Sequence, residues 1–320
     1  MQRKLLAIIV LGFMSWIMGY SQQPIQYSQY MQNKYALNPA YSGLEGSLSV
    51  FAGIRSQWSQ LNGSPKAQNF SAHLPMYNLQ GAIGFSLQNE TSTDFSMVTF
   101  TGSYNYVMEL PIGAVSFGAK LGLNRLSING GNLVTPSGVY EGSVAEHNDP
   151  ILGNDERSGA GPVWGIGGYF ISDELEIGLS LDAFPSHSIG LGEISYQRKQ
   201  NVGLYAQYNL LYSNLWTFSP SIYVKSDFTQ TQVDVFGKVN YSNLFGGIGL
   251  RGYSGSSMDA LIILMGVQFN KHYRLSYSFD LGISELRHYH DGTHEFTLNY
   301  NLQKLIGNLG QPKIIYNPRY

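Results

Sequence analysis

The chain has 320 residues, of which 37 are glycine, 23 are tyrosine and only 12% are charged, about half the charged share of a typical soluble domain. A formal net charge of −2 suggests no nucleic-acid partner. The absence of cysteine excludes a disulfide framework and a thiolate metal site.

Residues 1–21 have the parts of a secretory signal peptide. Two basic residues precede an apolar run at residues 5–18, and the small residues Gly19 and Ser21 follow it. We predict cleavage between Ser21 and Gln22, and therefore export. The alternative, a membrane anchor, requires about 20 apolar residues, which is longer than this run. The absence of cysteine after the cleavage site excludes a lipoprotein.

Residues 22–46 form a polar arm rich in Tyr, Gln and Asn. The spacing predicts a short helix from Ser28 to Tyr35 that ends at Asn38 and Pro39, because the residue before a proline avoids the helical region. Two interpretations stay open, namely an arm that packs against the rest of the chain and a disordered leader. The arm residues that we expect to bind a partner are Tyr27, Tyr30, Tyr35 and Tyr41.

From Leu48 onwards, apolar residues recur at every second position. Residues 175–182, LEIGLSLD, are typical of this pattern, which indicates a strand with two different solvents on its two faces. No apolar stretch after Met18 approaches bilayer length, which excludes a bundle of membrane-spanning helices. A closed barrel also satisfies every backbone group in hydrocarbon. We therefore predict an all-β fold, a transmembrane antiparallel β-barrel at residues 47–303, followed by a tail at residues 304–320.

The strand segments number about 14, an even number as bacterial single-chain barrels require. Short and longer connections alternate, as expected if the amino terminus lies in the periplasm. Pro220 and the glycine-rich residues 246–252 interrupt the ninth and eleventh strands. A lumen of this width would leak, and the arm folded into its periplasmic mouth as a plug would close it. The predicted strands start near Leu48, Lys66, Gln80, Phe95, Ile112, Pro162, Glu174, Gln197, Leu215, Thr229, Leu244, Asp259, Lys271 and His294.

The two faces of these strands predict different surroundings. Residues on the apolar face should contact lipid, and those on the polar face should line the lumen. The residues that we expect to face lipid include Leu48, Val98, Phe117, Leu179 and Leu298.

Aromatic residues cluster at the ends of the predicted strands. Their amphipathic rings favour the headgroup layer, which predicts girdles around the barrel. The general preference of Tyr and Phe for strands is the alternative explanation. The pairs are Tyr104 and Tyr106, Tyr205 and Tyr208, Trp216 and Phe218, and Tyr273 and Tyr277.

One long connection, residues 126–161, is acidic and rich in glycine. Long loops in compact architectures are usually functional, which favours a lid that contacts a partner. Charge runs are also common in solvated loops, so both interpretations stay open. By strand parity, this loop lies on the same side as residues 57–65 and 285–293. Its candidate partner-binding residues are Glu141, Glu146, Asp149, Asp155 and Glu156.

The sequence contains little that indicates catalysis. Residues 247–252, GIGLRG, match a dinucleotide-binding string, but no helical pattern follows them, and glycine that relieves crowding in a barrel strand explains them better. The cluster of His288, His290, Asp291 and His294 has metal-ligand character, but a polar outer loop accounts for it more simply. No motif selects a nucleophilic serine. We therefore expect no enzyme activity, no cofactor and no metal.

Three segments between residues 26 and 75 combine rare tripeptides, namely SQYMQNKYALNPAYSG, IRSQW and GSPKAQNFSAHLP. In this order they resemble the amino-terminal signature of the PorP/SprF family of outer-membrane proteins from the Bacteroidetes. The resemblance returns at residues 292–295, GTHE. Trp58, in the second segment, joins the candidate partner-binding residues.

The resemblance implies an outer-membrane barrel associated with type IX secretion and gliding, which aids secretion or surface attachment of cargo proteins such as gliding adhesins. Its partners would be outer-membrane lipid, the secretion machinery and cargo. An outer-membrane porin or transport barrel for small or apolar solutes would show the same composition and periodicity. Only the resemblance favours the first function, because fold alone does not decide between them.

Overall fold

A computed structural model describes residues 26–132, 138–141, 144–146, 155–183, 186–192, 194–213, 215–253, 257–304 and 306. These residues form a closed antiparallel β-barrel of 14 strands, which confirms the predicted fold class. Each strand pairs with the next, and the first strand pairs with the last from Ser49 opposite Asn301 to Ser56 opposite His294. The barrel strands, numbered in chain order, are β1 Ser49–Ser56, β2 Lys66–Met76, β3 Gly81–Ser92, β4 Phe95–Leu110, β5 Gly113–Asn129, β6 Glu156–Ile171, β7 Leu175–Asp182, β8 Asn201–Tyr208 continued by Leu210–Ser213, β9 Trp216–Ser226, β10 Thr231–Tyr241, β11 Leu244–Tyr253, β12 Ser257–Phe269, β13 Tyr273–Gly282 and β14 Thr293–Asn301.

Most predicted strand starts lie within two residues of the observed ones, and two starts are wrong. The sixth strand begins at Glu156 rather than near Pro162, because β5 and β6 continue their pairing up to Asn129 opposite Glu156. The long loop is correspondingly shorter than predicted. The eighth strand begins at Asn201 rather than near Gln197, because a separate hairpin occupies the preceding residues.

The side chains alternate between two surroundings, with apolar side chains on the outer wall and many polar ones inside. The lumen also holds a buried apolar cluster that includes Phe236, Ile262 and Leu264. The outward side chains of Val98, Phe117, Leu179 and Leu298 are between 40% and 56% exposed. Leu48 lies one residue before β1 and is half-buried. No helix among the described residues is long and apolar enough to cross a membrane.

The two ends of the barrel differ in their connections. We call the end that carries short connections, such as residues 242–243 and 270–272, the turn end, and β1 starts and β14 finishes there. We call the opposite end, which carries residues 57–65 and 283–292, the loop end.

Aromatic rings on the outer wall cluster towards the turn end. The rings of Trp216 and Tyr241 lie 4.4 Å apart, and those of Tyr273 and Tyr300 lie 5.0 Å apart. The prediction that Tyr205 belongs to a girdle is wrong, because this side chain points inward and is 3% exposed. Its ring belongs to the packing of the lumen.

Candidate functional site

The arm, described from Gln26 onwards, runs through the lumen along most of its height. At the loop end, the hydroxyl of Tyr253 donates to Oε1 of Gln26 at 2.8 Å. At the turn end, Nδ2 of Asn301 donates to Oε2 of Glu45 at 2.7 Å. The arm therefore starts near one mouth of the barrel and leaves through the other, where β1 begins.

The arm is built of three short helical turns, namely Tyr30–Gln32, Lys34–Leu37 and Pro39–Tyr41. The predicted helix from Ser28 to Tyr35 is therefore wrong in extent. Its interruption falls at Asn33, whose side-chain oxygen accepts a hydrogen bond from the backbone N–H of Ala36 at 3.1 Å and so caps the second turn. The predicted end at Asn38 and Pro39 agrees with the start of the third turn.

A buried charge cluster holds the amino-terminal part of the arm. We use this name for Ser28, Arg55, Asp234, Arg251, Asp280 and Glu295. Arg55 pairs with Asp280 and with Glu295, each at 2.8 Å. Arg251 pairs with Asp234 and with Asp280, each at 3.2 Å. The four ion pairs connect β1, β10, β11, β13 and β14, which belong to one continuous part of the wall.

Ser28 lies at the centre of this charge cluster. Its hydroxyl donates to Oδ2 of Asp280 at 2.6 Å and accepts from Arg55 at 2.8 Å. Glu295 accepts the backbone N–H of Ser28 at 2.8 Å and that of Gln29 at 3.2 Å. Because buried polar groups are costly without partners, these contacts tie the folding of the arm to the charges of the wall.

A second group of contacts holds the arm near the turn end. Nζ of Lys34 lies 2.7 Å from Oε2 of Glu176, and the hydroxyl of Tyr169 donates to the same oxygen at 2.7 Å. The Lys34 ammonium also lies over the rings of Tyr41 and Tyr205, 5.5 Å and 5.7 Å from their centroids. A carboxylate and the faces of two rings therefore hold this ammonium group inside the lumen.

Glu45 marks the exit of the arm. Burial alone would raise the pKa of its carboxyl, but the nearby His73 and hydrogen bonds from Ser49 and Asn301 outweigh burial and hold that pKa below its usual range. Glu45 is therefore ionised at neutral pH and links the arm to the first and last strands.

Two wall glycines allow the arm to approach the barrel backbone. A Cβ atom on Gly118 would lie 2.6 Å from the backbone N of Ala40, and one on Gly167 would lie 2.0 Å from Oδ1 of Asn38. The side-chain nitrogen of Asn38 donates to the backbone oxygens of Gly168 and Leu179 at 3.0 Å and 2.9 Å. Any larger residue at either glycine would displace the arm.

The four candidate tyrosines of the arm all lie in the lumen. Tyr30 is 1% exposed, its ring stacks on Tyr223 at 5.5 Å, and its hydroxyl lies 3.0 Å from Oγ of Ser221. Tyr35 and Tyr41 are buried and Tyr27 is half-buried. Burial raises the pKa of Tyr35 to about 12. These rings therefore bind the barrel in this structure, and a partner would reach them only if the arm left the lumen.

A hairpin in the connection between β7 and β8, His187–Leu191 paired with Ile194–Arg198, fills part of the loop end. Ile189 and Leu191 are each 1% exposed, and Leu191 packs in a cluster with the inward-facing Met97 and Leu126. Sequence reasoning missed this element. The alternation of Ile189 and Leu191 ahead of the turn at Gly192 was the available signal, but it does not indicate that the hairpin folds inward.

At the loop end, the connections at residues 57–65 and 283–292 bind each other. The backbone N–H of Ser59 donates to the oxygen of Gly292 at 2.8 Å, and that of Asp291 donates to the oxygen of Ser59 at 3.0 Å. Trp58 takes a left-handed φ of 52°, unusual for a bulky residue, and its N–H donates to Oγ1 of Thr293 at 3.1 Å. The candidate Trp58 therefore lies within a joined outer surface.

The acidic candidates of the long loop are only partly described. Glu141 and Glu146 lie at the ends of a two-stranded pair, Val139–Glu141 and Val144–Glu146, and Asp149 lies outside the described residues. Asp155 and Glu156 are exposed. The predicted loop position of Glu156 is wrong, because this residue is the first of β6. Its carboxylate accepts a hydrogen bond from the Ser127 hydroxyl.

The remaining sequence candidates have structural partners. Nδ1 of His294 lies 2.8 Å from the Tyr277 hydroxyl, and His290 accepts the N–H of Gly292 at 2.9 Å. No group of three or more potential ligands among the described residues is arranged to hold a metal ion. Gly249 lies within β11, where an added Cβ would meet the Phe236 ring at 2.2 Å.

The closed barrel with its apolar outer wall places this chain in the class of transmembrane β-barrel proteins. Its own arm fills the lumen. Within that class, the chain belongs to the PorP/SprF family of type IX secretion system membrane proteins, whose profile matches residues 19–300. The family expected from the segments between residues 26 and 75 is confirmed. No curated protein sequence matches the chain.

Solved structures share the fold at low sequence identity. The chain is similar to a deletion mutant of the monoaromatic hydrocarbon channel TodX, with a TM-score of 0.50 and 11% identity over 84% of this chain and 93% of that one. It is also similar to the toluene transporter TbuX of Ralstonia pickettii, with a TM-score of 0.50 and 11% identity over 82% and 90%. The hydrocarbon channel CymD has a TM-score of 0.50 and 10% identity over 88% and 94%. These likenesses show the fold alone.

Proposed function

We propose that this protein is an outer-membrane component of type IX secretion that aids the secretion or surface attachment of particular cargo proteins, such as gliding adhesins. Membership of the PorP/SprF family supports the link to the secretion system. The cargo would bind the loop end, and the secretion machinery would be reached from the turn end.

The observation that carries this proposal is the filled lumen. A transport barrel needs a path for solute, whereas here the arm occupies the lumen from Gln26 at one end to Glu45 at the other. Buried ion pairs and wall glycines hold it there. A barrel closed in this way acts through its surfaces, which is what an attachment or secretion component requires.

The loop end offers a surface of suitable chemistry. The joined connections at residues 57–65 and 283–292 expose Leu61 at 39% and Tyr289 at 73%. Exposed apolar and aromatic side chains on a fixed frame are typical of protein-binding surfaces. The acidic residues between β5 and β6 lie on the same end by strand order and would add salt-sensitive contacts with a basic partner.

The alternative function is transport of small or apolar solutes, as the names of the fold's hydrocarbon-channel neighbours suggest for those proteins. Because these neighbours are only 11% identical to this chain, transport is a second candidate function here. It requires the arm to leave the lumen or to leave a side path.

One variant tests the two functions together. Excising residues 138–154 removes the acidic part of the long loop and leaves β5 and β6 intact. We expect reduced surface display of one or a few cargo proteins in surface proteomics, and unchanged solute entry in a liposome swelling assay. A variant without the arm serves as the positive control for swelling. Altered swelling with unaltered display would favour the transport function.

A further inference from the structure

Among the described residues, strand β8 has a backbone edge without a partner strand at the turn end. Its first part, Asn201–Tyr208, pairs with β7 on one side and β9 on the other. Its second part, Leu210–Ser213, pairs with β9 alone among the described residues. The reason is that β7 starts at Leu175, opposite Tyr208, so β8 continues beyond the end of its neighbour.

The free edge is apolar and fully accessible. Leu210 is 47% exposed, Leu211 is 73% exposed and Tyr212 is 91% exposed. Sheet proteins usually protect such an edge with lysine or proline, but residues 208–217 contain neither. The edge is only four residues long and has a register shift between Leu211 and Ser213, which limits it to a short added strand.

Lipid accounts for only part of this apolar surface. Leu210 lies opposite Phe218 on the outer wall, where the bilayer or its headgroups can cover it. Leu211 lies opposite Thr217, on the face that continues into the buried Ser219 of the lumen wall. A side chain on the lumen side of the projecting hairpin is out of reach of the membrane, so lipid does not account for this part of the apolar surface and a second polypeptide can cover it.

The charges around the edge define the partner further. Residues 208–217 carry no charge. The exposed Asp173 and Glu174 lie in the turn directly before β7, next to the start of the free edge. The backbone N–H of Asn209 donates to the oxygen of Glu174 at 2.7 Å, which fixes this acidic turn next to the start of the edge. An added strand with apolar residues and a basic residue towards this turn would be complementary.

We propose that Leu210–Ser213 is a strand-addition site, at which an extended apolar segment with a flanking basic residue, from a second protein at the turn end, pairs with β8. The inference rests on the proposed function, since a secretion component needs a contact on the side opposite its cargo. Backbone hydrogen bonds would supply affinity, and Leu211 with the acidic turn would supply selectivity.

Site-specific photo-crosslinking in whole membranes tests the site. The probe amino acid p-benzoylphenylalanine is placed at Leu211 and, separately, at Ser213, with Leu79 in another turn-end connection as the control position. We expect adducts with one segment of one protein, whose crosslinked residue moves by about one to three positions along that segment when the probe moves from Leu211 to Ser213, because strand pairing fixes the register apart from the local shift between these two residues. The control position should give about tenfold less of this adduct.

A matched pair of substitutions checks the mechanism. Leu211→Asp adds a like charge beside the acidic turn, and the yield from the probe at Ser213 should fall about tenfold. Leu244→Asp makes the same change at a residue that is 58% exposed in β11, which is paired on both sides, and should leave the yield unchanged. Heat-modifiable migration on gels checks that both barrels fold.

Each other outcome overturns the proposal. Adducts with a second copy of this chain would make the edge a self-association site, and adducts with its own residues 307–320 would make it an internal docking site. Adducts whose crosslinked residue does not move when the probe moves, or adducts with lipid only, would exclude strand pairing. Because cargo display is measured separately on the loop-end variant, loss of the strand-addition site would leave the proposed function standing.

Discussion

The side chains of Ser28 and Asp280 meet inside the lumen, with the serine hydroxyl 2.6 Å from Oδ2 of the aspartate. The first residue belongs to the arm and the second to β13, 252 positions later. Both guanidinium groups of the charge cluster, those of Arg55 and Arg251, also contact this aspartate oxygen. The Asp280 carboxylate thus binds the arm through Ser28 and binds β1 and β11 through the two arginines. Docking of the arm and packing of the wall therefore depend on the same charge.

Asp280→Asn should destabilise the barrel strongly. It breaks two buried ion pairs at the carboxylate oxygen that Arg55 and Arg251 share, although Arg55 keeps Glu295 and Arg251 keeps Asp234. Removing one partner of a buried pair typically costs about 3–5 kcal/mol. Urea unfolding in detergent measures the change. Lys199→Gln is the control, since it removes a longer and partly exposed pair with Asp227 at 3.5 Å and should cost no more than about 1 kcal/mol. Equal costs for the two variants would mean that the charge cluster does not stabilise the fold.

Gly118→Leu should expel the arm without harming the wall. The new side chain would collide with the backbone of Pro39 and Ala40. Lys34 is the only lysine or arginine between residues 26 and 54, so trypsin cleavage after it reports arm release. We expect cleavage to accelerate at least about tenfold, because opening becomes easier. Gly102→Leu, where an added Cβ meets nothing within 4 Å, is the matched control and should cleave at the parent rate.

The outer wall was predictable from sequence, whereas the contents of the lumen were only partly so. A strand with a different solvent on each face has alternating apolar and polar residues, so this pattern alone predicted that Phe117 and Leu179 face lipid. The charge cluster joins residues from 28 to 295, and one sequence does not indicate which distant charges meet. Tyr205 alternates like a girdle residue but points inward, and the hairpin at Ile189 reads like any other strand. The interruption of the arm helix depends on a cap by Asn33, which a spacing argument overlooks.

The orientation of the wall can be tested by placing charge on each face. Phe117→Arg puts a cation on the lipid side and should cost about 2–4 kcal/mol near the midplane. Lys120→Gln, on the inner face of the same strand, removes a partly exposed pair with Asp182 at 2.7 Å and should cost no more than about 1 kcal/mol. Both are measured by unfolding in lipid vesicles. A larger loss for Lys120→Gln would reverse the assignment of the faces.

Docking of the arm at the turn end should weaken in acid through Glu45. Its folded-state pKa is lowered below the ordinary value of 4.5, so its contribution is complete above pH 4.5 and is lost as the pH falls through the lower folded pKa. Trypsin is inactive there, so pepsin cleavage or hydrogen exchange of the arm is the measurement. Glu45→Gln should remove this part of the acid dependence. His73 also faces the carboxyl, so an unchanged acid profile in that variant would assign the dependence to this imidazole.

Removing residues 26–41 should open the barrel while leaving it inserted. Each barrel strand forms its backbone pairs with other barrel strands and not with the arm, so we expect the wall to close without it. The lumen, by contrast, loses the side chains that fill it. We expect higher single-channel conductance in planar bilayers, with a remaining restriction from the hairpin at His187–Leu191. Replacing the same residues with a glycine-serine segment of equal length is the matched control, because it keeps a tether but none of the contacts of Ser28, Lys34 or Tyr30. Both variants should conduct, and the parent should not. If the glycine-serine variant stays closed, chain length rather than the arm's contacts would be what blocks the lumen.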